Sequence, residues 1–103
     1  MECKSCLSVK NIVFLGRQHS GETQGSFIIE GIVDFLINSI NLAVSKKSLI
    51  FHFIPIVNAE GVLYGNYRTN LRGYDLNRNW RFPDKDNQPE IFYIRKYLHR
   101  INE

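Results

Sequence analysis

The sequence predicts an α/β fold built on one strand–helix–strand unit, followed by a long irregular segment and a closing helix. Two apolar runs, residues 11–15 and 49–54, have the length and composition of short strands. The stretch between them repeats apolar residues at steps of three and four, which is the period of a buried helical stripe. Because a helix joins the two strands, we expect them to run parallel, with a right-handed crossover.

The first strand ends at Gly16, and residues 17–25 after it form a polar loop. The helix is predicted from Ser26, with Thr23 or Ser26 as its cap. Its stripe consists of Ile28, Ile29, Ile32, Val33, Leu36, Ile37 and Ile40. The helix is apolar on much of its surface, so we expect neighbours to cover it on more than one side.

The second strand is almost wholly apolar and ends before Pro55, which is typical of a central parallel strand buried on both faces. Residues 57–83 are rich in Asn, Gly, Arg and Tyr and have no regular period. Ordered segments of this kind are usually functional. Residues 89–101 are predicted as an amphipathic helix with Pro89 in its first turn. The buried stripe of this helix consists of Ile91, Ile94, Leu98 and Ile101.

The composition is that of one soluble globular unit. Of the 103 residues, 44% are hydrophobic and 22% are charged, which excludes a disordered chain. No apolar run approaches the roughly 18–20 residues of a membrane span. The formal net charge is +3, and the excess of basic side chains lies within residues 64–103. Four arginines contribute to it: Arg68, Arg72, Arg78 and Arg81. They form a solvated face, or they bind carboxylates or phosphates.

The first residues do not form a signal peptide, because their charges are mixed and the first apolar run is short. We therefore expect a cytoplasmic protein. Cys3 and Cys6 have the CxxC spacing, but a structural zinc site needs a second pair, and a thioredoxin-type site follows a strand. The two thiols are interpreted as inert, and their role stays open.

The loop after the first strand contains a histidine and a carboxylate three residues apart, His19 and Glu22. In α/β folds, ligand sites form at the carboxyl ends of strands. A neutral imidazole and a carboxylate can bind one Zn²⁺ ion, but such a pair can also be an ordinary hydrogen-bonded contact. Spacing alone leaves both interpretations open.

Two further motifs follow along the chain. Residues 55–61 read Pro-Ile-Val-Asn-Ala-Glu-Gly and continue to Tyr-Gly-Asn-Tyr-Arg at 64–68, and residues 73–80 read Gly-Tyr-Asp-Leu-Asn-Arg-Asn-Trp. In this order, and after the Arg-Gln-His-Ser-Gly-Glu-Thr of residues 17–23, they resemble the zinc carboxypeptidases. The likeness is greatest to the cytosolic carboxypeptidase branch, the deglutamylases that trim glutamates from protein C-termini and side chains. It covers residues 16–80.

The resemblance implies a role for five residues. His19 and Glu22 would be two of the three protein ligands of a Zn²⁺ ion. Arg68 would stabilise the oxyanion of the tetrahedral intermediate, while Asn77 and Arg78 would bind the terminal carboxylate of the substrate. These roles suit the chemistry, because an arginine fork matches a carboxylate and positive charge stabilises a developing oxyanion.

Other positions in these motifs have structural interpretations or depart from the family. Asp75 and Trp80 are interpreted as structural, with Asp75 holding its loop by hydrogen bonds. Ser20 stands where the cytosolic branch usually has proline, and the Ala-Glu of residues 59–60 replaces the common Pro-Asp. Neither change affects a predicted ligand.

The resemblance also implies a fold and an activity for residues 1–103 as a partial catalytic domain. The fold would be the N-terminal part of an α/β/α domain with a mixed sheet. The activity would be zinc-dependent hydrolysis of C-terminal residues of proteins or peptides, including glutamates of acidic tails such as those of tubulin. Zn²⁺ is the implied cofactor, and neither a membrane nor a nucleic acid is an expected partner.

Two parts of the family's site have no match in this sequence. The third ligand, a histidine, and the general-base glutamate lie well downstream of the Asn-Arg pair in the family, and only 23 residues follow Trp80 here. His99 lies within a helical pattern, and no motif surrounds Glu90 or Glu103. We therefore expect a truncated gene model, a fragment or a degenerate paralogue that is inactive as the isolated chain.

The alternative function is a non-catalytic module whose arginine-rich loop binds acidic tails or RNA. No RNA-binding signature accompanies the loop. Arg72 and Arg81 are either solvated or in contact with an acidic substrate. His52, within the second strand, is interpreted as a core histidine with a hydrogen-bond partner.

Overall fold

The computed structural model describes residues 9–43 and 48–103, which form five regular elements. These are strand β1 (Lys10–Leu15), helix α1 (Gln24–Ala43), strand β2 (Leu49–Ile54), helix α2 (Ala59–Tyr64) and helix α3 (Pro89–Ile101). The predicted α/β class is confirmed, with both strands and the closing helix in their predicted places. Cys3 and Cys6 lie outside the described residues.

Strands β1 and β2 pair in parallel, as the helix between them predicts, and Leu15 lies opposite Ile54. The pairing continues past the strand ends. The N–H of Gly16 donates to the carbonyl of Ile54 at 2.9 Å, and the N–H of Val57 donates to the carbonyl of Gly16 at 2.9 Å. The segments that leave the two carboxyl ends therefore start side by side, where α/β folds form ligand sites.

No residue of either strand is fully buried by the residues that the structure describes. Ile50 of β2 is 47% exposed, and α1 exposes 71% of Phe27 and 66% of Phe35. Two members of the stripe predicted for α1, Ile28 and Ile37, are 59% and 68% exposed, so the described residues do not bury that stripe as a whole. A single two-stranded sheet cannot supply the cover expected on more than one side of the helix. None of the helices in residues 9–43 and 48–103 combines the length and apolarity needed to cross a bilayer.

The buried apolar cluster lies at the carboxyl ends of the strands. Its members are Val57, Leu76 and Ile91, with half-buried Leu15, Ile54, Trp80 and Ile94 packed against them. Ile91 and Ile94 belong to the stripe predicted for α3, whereas its other two members, Leu98 and Ile101, are half-buried outside the cluster. The cluster joins the strand ends, the irregular segment and α3, and it fixes the segment that carries the Asn-Arg pair.

Two helical boundaries differ from the sequence prediction. Helix α1 begins at Gln24, so Ser26 lies inside it. Helix α2 lies within a segment that is predicted to be irregular. It begins after Asn58, whose Oδ1 accepts from the N–H of Gly61 at 2.9 Å, and it ends at Gly65, which has a φ of 80° in the left-handed region. Its six residues are too few to show a helical period.

The buried amide of Asn70 organises the rest of the irregular segment. Its Oδ1 accepts hydrogen bonds from the N–H groups of Arg72 at 3.1 Å and Tyr74 at 3.0 Å. Its Nδ2 donates to the carbonyl of Asn87 at 2.8 Å and lies 3.3 Å from Oε2 of Glu90. One side chain thus closes the turn of residues 70–74 and ties it to the chain shortly before α3.

Replacing Leu76 tests the buried cluster. Leu76→Ala should lower the free energy of unfolding by about 2–5 kcal/mol, because it removes a side chain with no exposed area. Urea denaturation followed by circular dichroism measures the change. Leu63→Ala is the matched control, since Leu63 is 77% exposed, and it should change the value by about 0.5 kcal/mol or less. Equal losses in both variants would show that the cluster is not the core.

Candidate functional site

His19 and Glu22 lie next to each other on the loop that follows β1. The Nδ1 of His19 is 3.2 Å from Oε1 of Glu22. His19 is buried, with 6% of the residue exposed, whereas the side chain of Glu22 is 43% exposed. The structure therefore brings the two predicted ligands together, with one nitrogen and one oxygen facing the same space.

Both side chains line a cavity of about 250 Å³ near the carboxyl end of β1. Asn77 lines the same cavity, although it comes from the irregular segment. Cavities of about 550 Å³ and 580 Å³ lie on α3 and on α1 and are lined by residues of those parts of the chain. Three residues singled out by the motifs thus meet at the smaller cavity.

Asp75 contacts the opposite side of the His19 imidazole. The Nε2 of His19 is 2.8 Å from Oδ1 of Asp75, which is shorter than the contact of Nδ1 with Glu22. Both ring nitrogens contact carboxylates, which can only accept, so a neutral imidazole can donate to one of them. If Nδ1 is the nitrogen that binds a metal, the proton is on Nε2 and is donated to Asp75. A carboxylate that holds the second ring nitrogen in this way orients a histidine for metal binding.

The same carboxylate also holds Arg68. The Nε of Arg68 donates to Oδ2 of Asp75 at 2.8 Å, and the N–H of Asn77 donates to Oδ1 at 2.9 Å. Partial burial would raise the pKa of Asp75, but the hydrogen bonds from Asn77, His19 and Arg68 outweigh it and hold that pKa well below its usual range. Asp75 is therefore a carboxylate at neutral pH.

Asn77 and Arg78 lie at the rim of this cluster. The NH1 group of Arg78 donates to the carbonyl of Asn77 at 2.9 Å, and NH2 lies 3.8 Å from Oδ2 of Asp75. The Arg78 side chain is 60% exposed, so its guanidinium remains accessible to a ligand. Arg81 is exposed too, and its guanidinium lies 5.3 Å from the ring centre of Phe82.

The loop that carries His19 is tied to the segment after α2. The hydroxyl of Ser20 donates to the carbonyl of Asn66, and the N–H of Gly21 donates to the carbonyl of Tyr67 at 2.6 Å. A Cβ on Gly21 would lie 2.3 Å from the ring of Tyr67, so this close approach requires glycine. A proline at position 20 would have no hydroxyl to make the bond to Asn66. Ser20, which departs from the family pattern, thus makes a hydrogen bond that proline could not make.

The other two histidines lie elsewhere. His52 contacts Oδ1 of Asn11 through Nε2 at 2.9 Å and the hydroxyl of Tyr97 through Nδ1. The prediction of a hydrogen-bonded histidine is confirmed, although His52 is half-buried rather than part of the core. His99 is exposed in the last turn of α3. Within residues 9–43 and 48–103, no group of three or more His, Cys, Asp and Glu side chains is placed to hold a metal ion.

Two side chains make contacts that the sequence does not predict. Asp75 does hold its own turn, as predicted, but it also bonds His19 and Arg68. One sequence feature could have indicated these contacts: Asp75 is the one carboxylate between Glu60 and Asp84, and four arginines lie in the same stretch. Gln18 has no such signal. Its Oε1 accepts from Nε1 of the motif tryptophan at 3.0 Å, across 62 positions of sequence.

Comparisons with known proteins agree with the motifs. The family model described as zinc carboxypeptidase matches residues 7–94. Cytosolic carboxypeptidase 6 of Mus musculus is 40% identical over 93 residues, which cover 88% of this chain and 17% of that protein. Cytosolic carboxypeptidase 2 of Danio rerio is 41% identical over 91 residues, which cover 87% of this chain and 13% of that protein. The chain thus spans less than a fifth of the length of these curated relatives.

A solved structure has the same fold. The crystal structure of a metallo-carboxypeptidase from Burkholderia cenocepacia matches with a TM-score of 0.80 and 31% identity, over 98% of this chain and 28% of that one. The match therefore includes the strands, the helices and the irregular segment that carries the motifs. In sequence and in fold, the chain belongs to the zinc carboxypeptidase family.

Proposed function

We propose that this chain is part of the catalytic domain of a zinc-dependent metallocarboxypeptidase, which hydrolyses the C-terminal residues of proteins or peptides. The observation that carries the proposal is the pair of bonds made by Asp75. One carboxylate orients both His19, a predicted metal ligand, and Arg68, the predicted oxyanion-stabilising residue. Glu22 and Asn77 line the same cavity as His19, which supports a single site.

The donor atoms of His19 and Glu22 fit Zn²⁺, which takes imidazole nitrogen and carboxylate oxygen as ligands. Their separation of 3.2 Å is close to the roughly 3.4 Å between two ligands of a tetrahedral ion with bonds of about 2.0–2.2 Å. Catalytic zinc sites use three protein ligands, so a third ligand is needed from elsewhere in the protein. When bound, zinc polarises a carbonyl oxygen and lowers the pKa of its bound water to about 7.

Arg68 is suited to stabilise negative charge on the substrate. Its Nε is held by Asp75 at 2.8 Å, and its side chain is 41% exposed. Within the described part of the chain, its two terminal nitrogens make no hydrogen bond, so they can donate to the scissile carbonyl oxygen as that oxygen becomes negative. A donor that is already fixed needs no reorganisation during the reaction, which is how electrostatic stabilisation lowers a barrier.

Asn77 and Arg78 are suited to bind the terminal carboxylate. The guanidinium of Arg78 offers a planar fork that can donate two parallel hydrogen bonds, and the amide of Asn77 can add a third. A site that binds the chain terminus beside the reacting carbonyl restricts hydrolysis to the last residue. This arrangement supports an exopeptidase rather than an endopeptidase.

The proposed substrates are acidic C-terminal tails, such as the glutamate-rich tails of tubulin. The proposed location is the cytoplasm. The segment between Glu60 and Asp84 contains four arginines and one carboxylate, and that carboxylate is already bonded to His19 and Arg68. The resulting positive potential attracts an acidic chain. The names of the cytosolic carboxypeptidase relatives support the proposed location. We favour catalysis over a purely binding role because one carboxylate holds both Arg68 and a predicted metal ligand.

Removing either predicted ligand tests the metal site. In the full-length protein, His19→Ala and Glu22→Ala should each abolish stoichiometric zinc and the hydrolysis of a peptide with a C-terminal glutamate, because each removes one ligand. Mass spectrometry of metal content after dialysis measures the zinc. His99→Ala is the control, since His99 is exposed in α3, and it should keep both properties. Unchanged zinc and turnover in both ligand variants would exclude this site.

Replacing Arg78 tests carboxylate binding. Arg78→Ala should lower kcat/KM for a peptide with a free C-terminus by about 10- to 100-fold, because it removes charged hydrogen bonds worth about 1.5–3 kcal/mol. Steady-state kinetics with free and C-terminally amidated peptides measure the effect. Lys96→Ala removes the same charge from an exposed position on α3 and should leave kcat/KM unchanged. Equal loss in both variants would indicate only a change in net charge.

Replacing Asp75 tests its hold on the metal ligand. Asp75→Asn should weaken zinc binding by about 10- to 100-fold, which is the usual loss when the partner of a ligating histidine is changed. An amide has one accepting oxygen in place of two, so it cannot reproduce the separate bonds of Oδ1 with His19 and of Oδ2 with Arg68. Competition with a chelator measures the affinity. Asp84→Asn, in an exposed turn, is the matched control. If Asp75→Asn bound zinc as tightly as the parent protein, His19 would need no partner.

A further inference from the structure

We propose that Arg17 is a positioning residue whose guanidinium holds the loop of His19 and Glu22 in the shape that binds the metal. This inference rests on the proposed function, because it concerns the same two ligands. It assigns a role to a side chain that lines the cavity but is neither a ligand nor part of the predicted substrate site.

The backbone of Arg17 has an unusual conformation for an arginine. Its φ is +50°, and it is the only residue other than glycine with a positive φ in residues 9–43 and 48–103. For a residue with a Cβ this left-handed conformation is unfavourable, whereas glycine adopts it readily. An arginine at this turn therefore indicates that its side chain contributes something that glycine lacks.

The side chain spans the loop from one end to the other. The Nε of Arg17 donates to the carbonyl of Ser20 at 2.9 Å, and Nη2 donates to the same oxygen. Nη1 donates to the hydroxyl of Ser26, in the first turn of α1, at 3.0 Å. His19 and Glu22 both lie between residues 17 and 26 of the chain. One guanidinium thus ties the loop that carries them to the helix that follows it.

The backbone of Arg17 is also tied to the other strand. Its carbonyl accepts from the N–H of Asn58 at 3.0 Å, which continues the pairing of the segments after β1 and β2. The start of the loop is therefore fixed to the sheet, while the side chain fixes its middle and its end. Movement of His19 relative to Glu22 would have to break contacts at one of these points.

The contacts of Arg17 indicate that it fixes the shape of the loop rather than pairing with an opposite charge. Its acceptors are a carbonyl and a hydroxyl, and none of the ion pairs in the described part of the chain involves it. Only a planar guanidinium reaches both acceptors at once, since a lysine is a single point charge. A positive charge beside a cation site is by itself unfavourable. Charge alone therefore predicts tighter metal binding when Arg17 is removed, whereas positioning predicts weaker binding.

That difference in sign defines the experiment. In the full-length protein, Arg17→Gly should weaken zinc binding by about 10- to 100-fold, as for other residues that orient ligands. Glycine keeps the positive φ, so the substitution removes the side chain without straining the turn. Arg17→Lys keeps the charge and should also weaken binding. Ser26→Ala removes one acceptor and should have a smaller effect in the same direction. Lys85→Gly, in an exposed turn, is the control.

Chelator competition measures zinc affinity, and the visible spectrum of the cobalt-substituted protein reports the ligand geometry. Both should change in the Arg17 variants while the Lys85→Gly control matches the parent. Suppose that His19→Ala loses zinc, but Arg17→Gly and Arg17→Lys bind zinc as tightly as the parent or more tightly. That result would overturn the role of Arg17 and leave the proposed function standing. Parent affinity in His19→Ala would instead overturn the proposed function. If Arg17→Gly does not fold, an unchanged affinity and cobalt spectrum in Ser26→Ala would overturn the inference.

Discussion

The candidate site depends on a single carboxylate that receives hydrogen bonds from three parts of the chain. Asp75 accepts from His19 on the loop after β1, from Arg68 after α2, and from the backbone of Asn77 in its own turn. Burying a carboxylate costs free energy, and these donors offset that cost and keep the group ionised. Because Asp75 stays ionised, it can hold the imidazole and the guanidinium in fixed orientations at the same time.

Packing beneath the site keeps that carboxylate in place. Leu76, the next residue, is fully buried against Val57 and Ile91, while Asp75 faces the polar cluster. The side chain of Leu76 therefore points into the core, and that of Asp75 points into the site. Within the irregular segment, the amide of Asn70 satisfies the N–H groups of Arg72 and Tyr74, and it also donates to the carbonyl of Asn87. Rigidity at the site comes from these buried contacts rather than from long helices or strands.

Whether a feature can be predicted from the sequence depends on how far apart the interacting residues lie along the chain. The two strands and α3 were predictable, because their apolar periods are local. Helix α2 was not, since it depends on the side-chain cap of Asn58 more than on any period. His19 and Glu22 are three residues apart, so their proximity follows from spacing. The contact of His19 with Asp75 spans 56 positions, and no local pattern specifies which donors a carboxylate will receive.

The close approach at Gly21 has a consequence for how this site can evolve. The ring of Tyr67 occupies the place where any side chain at position 21 would begin. Loss of that ring would still not make room, because the carbonyl oxygen of Tyr67 would lie 2.9 Å from the new Cβ. Position 21 is therefore closed by backbone as well as by a side chain, and no single change at position 67 opens it. We expect homologous sequences to keep glycine at position 21 whatever residue stands at position 67, so that the glycine records a backbone contact rather than one half of a covarying pair.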